Sequence, residues 1–208
     1  MLDRLALQLM MWLDRRMIWR TPSKDAVHLT FDDGPHPELT PWVLDTLSAH
    51  GAKASFFCLG ENASKHPAIV QRLRAEGHTV GHHTWDHPDG WRTPRHAYLR
   101  NVLQGARAIG EPWFRAPYGH LPRRLIPLLR KRYRLVMWDV MAGDFLPGRS
   151  SADCARHVLR HARPGSIIVL HDNAKSGACL RGALVPILEG LSEKGFRCTG
   201  LAEAINSP

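Results

Sequence analysis

Two aspartates, Asp32 and Asp33, stand side by side where the apolar run AVHLTF ends, and Gly-Pro follows them. Adjacent residues of a strand point to opposite sides, so the two carboxylates can do different work. His83 and His87 follow a later apolar run at i, i+4 spacing, which allows two imidazoles to face one metal ion. Two histidines and one carboxylate leave coordination positions open for water and substrate, as in a catalytic divalent metal site. The other aspartate would then lie beside that site as a base.

Each of these signals is weak when it is taken alone. Asp-Gly is a common turn dipeptide, so Asp33 could merely begin a turn. The chain has 13 histidines, and some of them will have i, i+4 spacing by chance. The prediction of a metal site therefore depends on the aspartate and both histidines occurring together at the ends of predicted strands.

The elements that must position these residues alternate regularly from Ala26 onward. Short runs rich in Val, Ile, Leu and Phe predict strands at AVHLTF, KASFFCL, HTVGHH, PWFRAP, YRLVMWDV, SIIVL and GFRCTG. Amphipathic stretches between them predict helices over Leu39–His50, Lys65–Glu76, Pro94–Ile109, Leu121–Lys131, Ser151–His161 and Leu180–Glu193. This alternation requires a mostly parallel sheet with helical crossovers, either doubly wound or closed into a barrel.

The barrel is favoured, because no Gly-rich phosphate-binding loop follows the first strand. The carboxyl ends of the strands of a parallel barrel share one rim, and side chains distant in sequence meet there. Four further polar residues follow predicted strands in this way: Arg115, Tyr118, Asp144 and His171. We expect them to converge on one cleft with the two aspartates and the histidine pair.

The composition predicts one globular domain that binds no nucleic acid. A chain of 208 residues, with 44% hydrophobic and 23% charged residues, can bury one substantial core. The formal net charge of +9 would attract anions, but arginines are spread over nearly every predicted helix. No aromatic-basic motif of a nucleic-acid-binding protein accompanies the charge.

The motifs together resemble those of the polysaccharide deacetylase family, the NodB-homology or carbohydrate esterase family 4 domain. TFDDGP, HTWDH, RAPY, the pair Asp144-Phe145 and VLH occur in the order and approximate spacing of the five motifs of that family. The resemblance implies a distorted (β/α)7-type barrel over residues 26–208 and a divalent metal ion, commonly zinc, with cobalt or nickel as alternatives. It also implies a hydrolase that removes N-acetyl groups from N-acetylglucosamine units of a peptidoglycan- or chitin-type polysaccharide or oligosaccharide.

The resemblance assigns the residues of the first two motifs by position. It implies that Asp33, His83 and His87 are the metal ligands. Asp32, which binds no metal in this assignment, would be the catalytic base that takes a proton from the attacking water.

Supporting roles are implied for the residues of the other three motifs. Arg115 would tether the base, and the backbone N–H of Tyr118 would help to hold the oxyanion. His171 would be the general acid that protonates the leaving amine, with Asp144 as its partner.

Two residues depart from the usual motifs of the family. Ala116 stands where a second proline is usual, and Phe145 stands where tryptophan is usual. Phe145 keeps an aromatic wall but lacks the N–H donor, which predicts a changed substrate groove. Trp91, in the polar loop DHPDGWRTP, is a candidate sugar contact near the rim.

Residues 1–25 lie outside the resemblance and are predicted to form an amphipathic helix, since apolar residues recur there at helical spacing. The helix could pack against the domain, or residues 1–20 could make a peripheral membrane contact. The apolar stretch is too short to span a bilayer, and no small-residue cleavage signature follows it. A cytoplasmic or membrane-associated location is therefore expected rather than secretion.

Two other functions fit the same residues. The first is a metal-dependent amidohydrolase or deacetylase acting on a small amide or a lipid-linked sugar. The second is a non-catalytic carbohydrate-binding module, which would predict a damaged metal triad or a missing base. The sequence has both the triad and the base.

Overall fold

The structure is a computed structural model that describes residues 16–206. Most of the predicted N-terminal helix falls on residues 1–15 and lies outside the described residues. Residues 16–25, the end of that prediction, form turns, bends and two isolated β-bridges instead of a helix. Trp19 is buried in this segment, so residues near the chain start contribute to the core. Among residues 16–206, no helix combines the length and the apolar character needed to cross a bilayer.

Parallel strands form one sheet in the described part of the chain. They are β1 (Ala26–Asp32), β2 (Ser55–Cys58), β3 (Thr79–His82), β4 (Trp113–Phe114), β5 (Arg134–Leu135), β6 (Val140–Met141), β7 (Ile167–His171) and β8 (Arg197–Cys198). Their order is β5-β4-β3-β2-β1-β7-β6, and β8 pairs with the start of β1. Every predicted strand is present, but YRLVMWDV forms two short strands, β5 and β6, instead of one.

Helices lie in the connections between successive strands, as a parallel sheet requires, except in the short connection between β5 and β6. They are α1 (Leu39–Ala49), α2 (Gly60–Lys65), α3 (Pro67–Ala75), α4 (Arg95–Ile109), α5 (Ile126–Leu129), α6 (Ser151–His161), α7 (Gly177–Glu193) and α8 (Leu201–Asn206). The prediction of α6 is confirmed at both ends, and Ser150 caps its start by accepting a hydrogen bond from the Asp153 backbone N–H.

Prolines explain two of the helix boundaries that the sequence pattern placed incorrectly. The predicted helix Lys65–Glu76 begins at Pro67, because the residue before a proline is pushed out of helical geometry and proline itself fits the first turn. The predicted helix Leu121–Lys131 is reduced to the single turn α5, which has proline in its first turn. Apolar periodicity therefore extended both predictions too far.

The sheet must curl because its two edges are joined by a short connection. A flat sheet with this strand order would hold β5 and β6 about 29 Å apart. The chain from Leu135 to Val140 can span only about 18 Å even when fully extended. Ile18 lies at the gap, where it donates to the Leu135 carbonyl and accepts from the Met137 N–H. The predicted distorted barrel is confirmed in this curled, incompletely paired form.

The central strand β1 separates an apolar side from a polar side. All seven of its residues are buried, as expected for a parallel strand covered on both faces. Alternate side chains join the main apolar cluster against the helices: Val27, Leu29 and Phe31. After Ala26, the other side chains face the opposite way and are polar: His28, Thr30 and Asp32. This polar row leads along the strand to its carboxyl end.

Candidate active site

Asp33, His83 and His87 meet at the rim of the barrel. Asp33 Oδ1 lies 3.2 Å from Nε2 of His87 and 3.6 Å from Nε2 of His83. The ligand atoms that the three residues offer all lie within 4.8 Å of one another. Ligands at 2.0–2.1 Å from a tetrahedral zinc ion would be about 3.3 Å apart, so the spacing suits such an ion.

The chemistry of the donor atoms also fits a cation. Asp33 Oδ1 is buried and has no hydrogen-bond partner of good geometry. The Nδ1 of His83 is bonded to the Arg115 carbonyl at 2.8 Å and must donate its proton there, so Nε2 turns its lone pair towards Asp33. Burial lowers the pKa of His83 to about 4, which keeps the ring neutral. A carboxylate oxygen and an imidazole lone pair therefore face each other with no proton between them. A divalent ion bound by both atoms stabilises such an arrangement.

Backbone strain is concentrated at this site. Four non-glycine residues of the described chain have positive φ: Asp33 (79°), Thr84 (70°), His87 (67°) and Tyr118 (58°). Such conformations cost about 1–3 kcal/mol each, so surrounding contacts must hold them. The side-chain amide of Asn62 donates to the Asp33 carbonyl at 2.8 Å, and the Thr84 hydroxyl accepts from the His87 N–H. The strained backbone aims the side chains of residues 33 and 87 at one point.

Asn173 orients the carboxylate of Asp33, and the sequence pattern did not single it out. Its Nδ2 donates to Asp33 Oδ2 at 2.7 Å, and its Oδ1 accepts from the Ser176 N–H at 2.9 Å. The second oxygen of Asp33 is thereby fixed while the first faces the histidines. The only sequence signal was that Asn173 closely follows a predicted strand and therefore lies near the rim.

Asp172 supports the turn beneath the site and was also missed. It is fully buried and accepts hydrogen bonds from the Gly34 N–H at 3.1 Å and the Thr40 hydroxyl at 2.5 Å. Burial raises its pKa to about 7. A Cβ atom on Gly34 would lie 2.1 Å from the Asp172 carboxylate, which explains why glycine follows the two aspartates.

Asp32 faces Arg115 and not the histidines. Both residues are almost completely buried, and Arg115 Nη1 donates to Asp32 Oδ1 and to the Thr30 hydroxyl, each at 2.7 Å. Nη2 of the arginine donates to the Met137 carbonyl, and the guanidinium lies 4.2 Å from the centre of the Phe57 ring. The two adjacent carboxylates therefore have separate partners, as the alternation along a strand predicted.

His171, which is partly buried, and Asp144, which is buried, form a second pair at the rim. His171 lies opposite Asp32 in the register of β1 and β7. One oxygen of Asp144 lies 2.9 Å from His171 Nδ1, and the other accepts from the His171 backbone N–H at 2.7 Å. Burial would lower the pKa of His171, but the hydrogen bond and charge of Asp144 outweigh it and raise this pKa to about 9. Phe145 packs edge-on against the imidazole, so the aromatic wall expected there is present.

Tyr118, the last of the predicted site residues, lies beside His87. The residue is 59% exposed, and its ring lies edge-on to the ring of His87, with 4.6 Å between centroids. His82, the residue before His83, stacks on Phe114 in the core. The structure thus gathers all eight predicted site residues along one rim and leaves His82 outside the site.

The protein is a curled parallel α/β barrel with a cluster of two histidines and one carboxylate at its rim. This combination is typical of metal-dependent hydrolases. Comparison with known proteins identifies the family. Residues 20–133 match the sequence profile described as polysaccharide deacetylase. The chain belongs to the polysaccharide deacetylase family, whose members are metal-dependent in general.

Curated relatives and a solved structure agree with this assignment. A peptidoglycan-N-acetylglucosamine deacetylase of Bacillus cereus is 37% identical over 84% of this chain and 66% of the relative. A chitooligosaccharide deacetylase of Azorhizobium caulinodans is 34% identical over 73% of this chain and 76% of the relative. The crystal structure of a peptidoglycan N-acetylglucosamine deacetylase, in complex with 4-naphthalen-1-yl-N-oxidanyl-benzamide, superposes with a TM-score of 0.86 at 32% identity. That match covers 93% of this chain and 94% of the other chain.

Proposed function

We propose that this protein removes N-acetyl groups from N-acetylglucosamine units of a peptidoglycan- or chitin-type glycan and releases acetate. The observation that carries the proposal is the division of labour between two adjacent carboxylates. Asp33 faces two imidazoles, whereas Asp32 is held by Arg115 and points to no potential metal ligand. A hydrolase needs both a metal-binding carboxylate and a separate proton acceptor.

Asp33, His83 and His87 would hold the ion, and zinc is the metal that we propose. Two imidazoles and one carboxylate are donors that suit zinc and leave a position open. When bound, a divalent ion polarises a carbonyl oxygen and makes water more acidic. Asn173 keeps Asp33 turned towards the histidines through its hydrogen bond to Oδ2.

Asp32 would take the proton of the water that attacks the acetamide carbon. Arg115 fixes its carboxylate in a buried position by a 2.7 Å charge-assisted hydrogen bond. The backbone N–H of Tyr118 would donate to the oxygen that becomes negatively charged, and such a donor is worth roughly 3–4 kcal/mol. Its left-handed backbone is a conformation that persists only where surrounding contacts impose it.

His171 would protonate the departing amine nitrogen. Its pKa of about 9 means that the ring carries the required proton at neutral pH. Asp144 fixes the tautomer and the orientation by bonding to Nδ1, which leaves Nε2–H free to act as the acid. The Asp32 and His171 pair then supplies the base and the acid from neighbouring strands.

Acetate release from several substrates tests the proposal. Zinc-loaded protein is expected to release acetate, and to expose free amines, on N-acetylchitooligosaccharides or peptidoglycan fragments and not on small amides. Chelation should abolish this release, and added zinc should restore it. Glycan binding without release would support the carbohydrate-binding module instead, and release from small amides alone would contradict the substrate class.

Asp144→Asn is expected to move the alkaline limb of the pH profile of kcat/KM to lower pH. The acid must be protonated, so activity falls as pH rises through the pKa of His171. Burial lowers that pKa and Asp144 raises it, so the loss of the carboxylate charge should lower it by roughly 1–3 units. The profile is measured from about pH 5 to about pH 10. Asp153→Asn, at an exposed position of α6, is the control and should leave the limb in place. An unmoved limb in Asp144→Asn would assign the limb to another group.

A further inference from the structure

Aromatic surface is exposed beside the metal cluster. Among the described residues, three large hydrophobic side chains are strongly exposed: Trp91 at 64%, Tyr118 at 59% and Leu128 at 51%. Exposed aromatic rings in one strip are unusual on a monomer unless they bind something. Trp91 and Tyr118 belong to one such strip, which also contains the rings of His87 and His120.

The strip begins at the metal cluster and ends at Trp91. The Tyr118 ring contacts the His87 ring, with 4.6 Å between centroids, and lies 5.7 Å from the His120 ring. His120 in turn stacks flat against Trp91, with 3.6 Å between centroids and an interplanar angle of 9°. Three ring contacts thus connect a proposed metal ligand to an exposed indole. A glycan whose acetamide lies at the cluster and whose chain follows the strip would bring a sugar unit beyond the nearest neighbour to this indole.

The stack is held rigidly in place. Asp89 Oδ1 accepts from the Trp91 backbone N–H at 2.9 Å and lies 2.9 Å from Nδ1 of His120. One carboxylate oxygen therefore fixes both partners of the stack. A Cβ atom on Gly90 would lie 2.0 Å from the His120 carbonyl, so the loop before Trp91 is packed directly on the segment that carries His120. A binding surface that is fixed before the ligand arrives loses little entropy on binding.

We propose that Trp91, backed by His120, is a stacking platform for the pyranose ring of a sugar unit that lies beyond the immediate neighbour of the one that is deacetylated. A pyranose presents a face of C–H groups, which pack well on the electron-rich face of an indole. His120 covers one face of Trp91, and the 64% exposure of the side chain leaves the other face open. This inference rests on the proposed function and adds a preference for chains of several sugar units over short ones.

Substrate length provides the test. Trp91→Ala is expected to lower kcat/KM for N-acetylated chitotetraose by about tenfold, mainly by raising KM. If the protein turns over only peptidoglycan, a peptidoglycan tetrasaccharide replaces chitotetraose in this test. The value for the matching disaccharide, which is too short to reach Trp91, should change by less than about twofold. Trp91→Phe, which keeps an aromatic face, should restore much of the loss. Leu128→Ala removes the third exposed side chain, outside the strip, and serves as the control.

Two measurements separate a failure of this inference from a failure of the proposed function. Metal content should be equal in all variants, since Trp91 touches no proposed ligand. Binding of the tetrasaccharide is measured by calorimetry beside turnover, so the platform is tested even if no acetate is released. Equal losses on short and long substrates, or tetrasaccharide binding unchanged by Trp91→Ala, would overturn the platform. If either result is obtained while the wild-type protein releases acetate from the glycan, the platform is excluded and the proposed function stands.

Discussion

Asp32→Asn is expected to lower kcat by about 10²- to 10⁴-fold and to leave the metal content unchanged. The factor is the usual contribution of a positioned general base. Asparagine has the shape of aspartate and can still accept from Arg115 through its amide oxygen, but it cannot take a proton from water. The metal should stay because Asp32 points to Arg115 and not to the histidines. Steady-state kinetics and metal analysis of the same preparation check both halves of the prediction.

The buried arginine complicates this variant and must be controlled. Loss of the Asp32 charge leaves a completely buried guanidinium without its counter-charge, which can cost about 3–5 kcal/mol of folding free energy. Thermal unfolding therefore has to show that the variant is folded at the assay temperature. Asp45→Asn removes a carboxylate from an exposed ion pair with Arg72 and is the matched control, with activity unchanged. A folded, metal-loaded Asp32→Asn enzyme with wild-type kcat would contradict the assignment of the base.

The metal cluster could be predicted from the sequence because its signals are local. Strand β1 has alternating outward apolar residues and ends at Asp32, so the position of both carboxylates follows from its periodicity. His83 and His87 are four residues apart, and both follow β3. Parallel strands then bring the two ends to the same rim.

The supporting contacts could not be predicted, because they join residues that only the tertiary fold brings together. Asn173 reaches Asp33 across 140 positions, and Asp172 fills the space that a Cβ on Gly34 would need. Neither residue type nor spacing reveals such a contact. The partnership of His171 with Asp144 came from the family resemblance, and its physical basis is the pairing of β6 with β7.

The short elements were the least predictable part of the fold. Strands of two residues, such as β5 and β6, are set by their neighbours and not by their own propensity. The run YRLVMWDV is apolar enough for one strand, but it crosses the gap between the two edges of the sheet. It therefore pairs with β4 at one end and β7 at the other.

His83→Ala is expected to weaken metal binding by about 100-fold or more and to abolish turnover at physiological metal concentrations. Binding free energies of about 10–16 kcal/mol for zinc sites are shared among three or four protein ligands, so one ligand contributes several kcal/mol. The lost imidazole also removes the Nδ1 hydrogen bond to the Arg115 carbonyl. Competition with a chromophoric chelator measures the affinity directly and does not depend on activity.

The neighbouring histidine provides the matched control for this variant. His82 is as buried as His83, but its ring stacks on Phe114 and its two ring nitrogens have no hydrogen-bond partner. His82→Leu replaces an unpaired polar ring with an apolar side chain of similar size, which should leave both folding and metal affinity close to wild type. Substitutions of His82, the last residue of β3, and of His83, the next residue, would then differ by about 100-fold or more in their effect on metal affinity. Equal losses in the two variants would trace the effect to general damage of the strand, and unchanged affinity in His83→Ala would remove His83 from the ligand set.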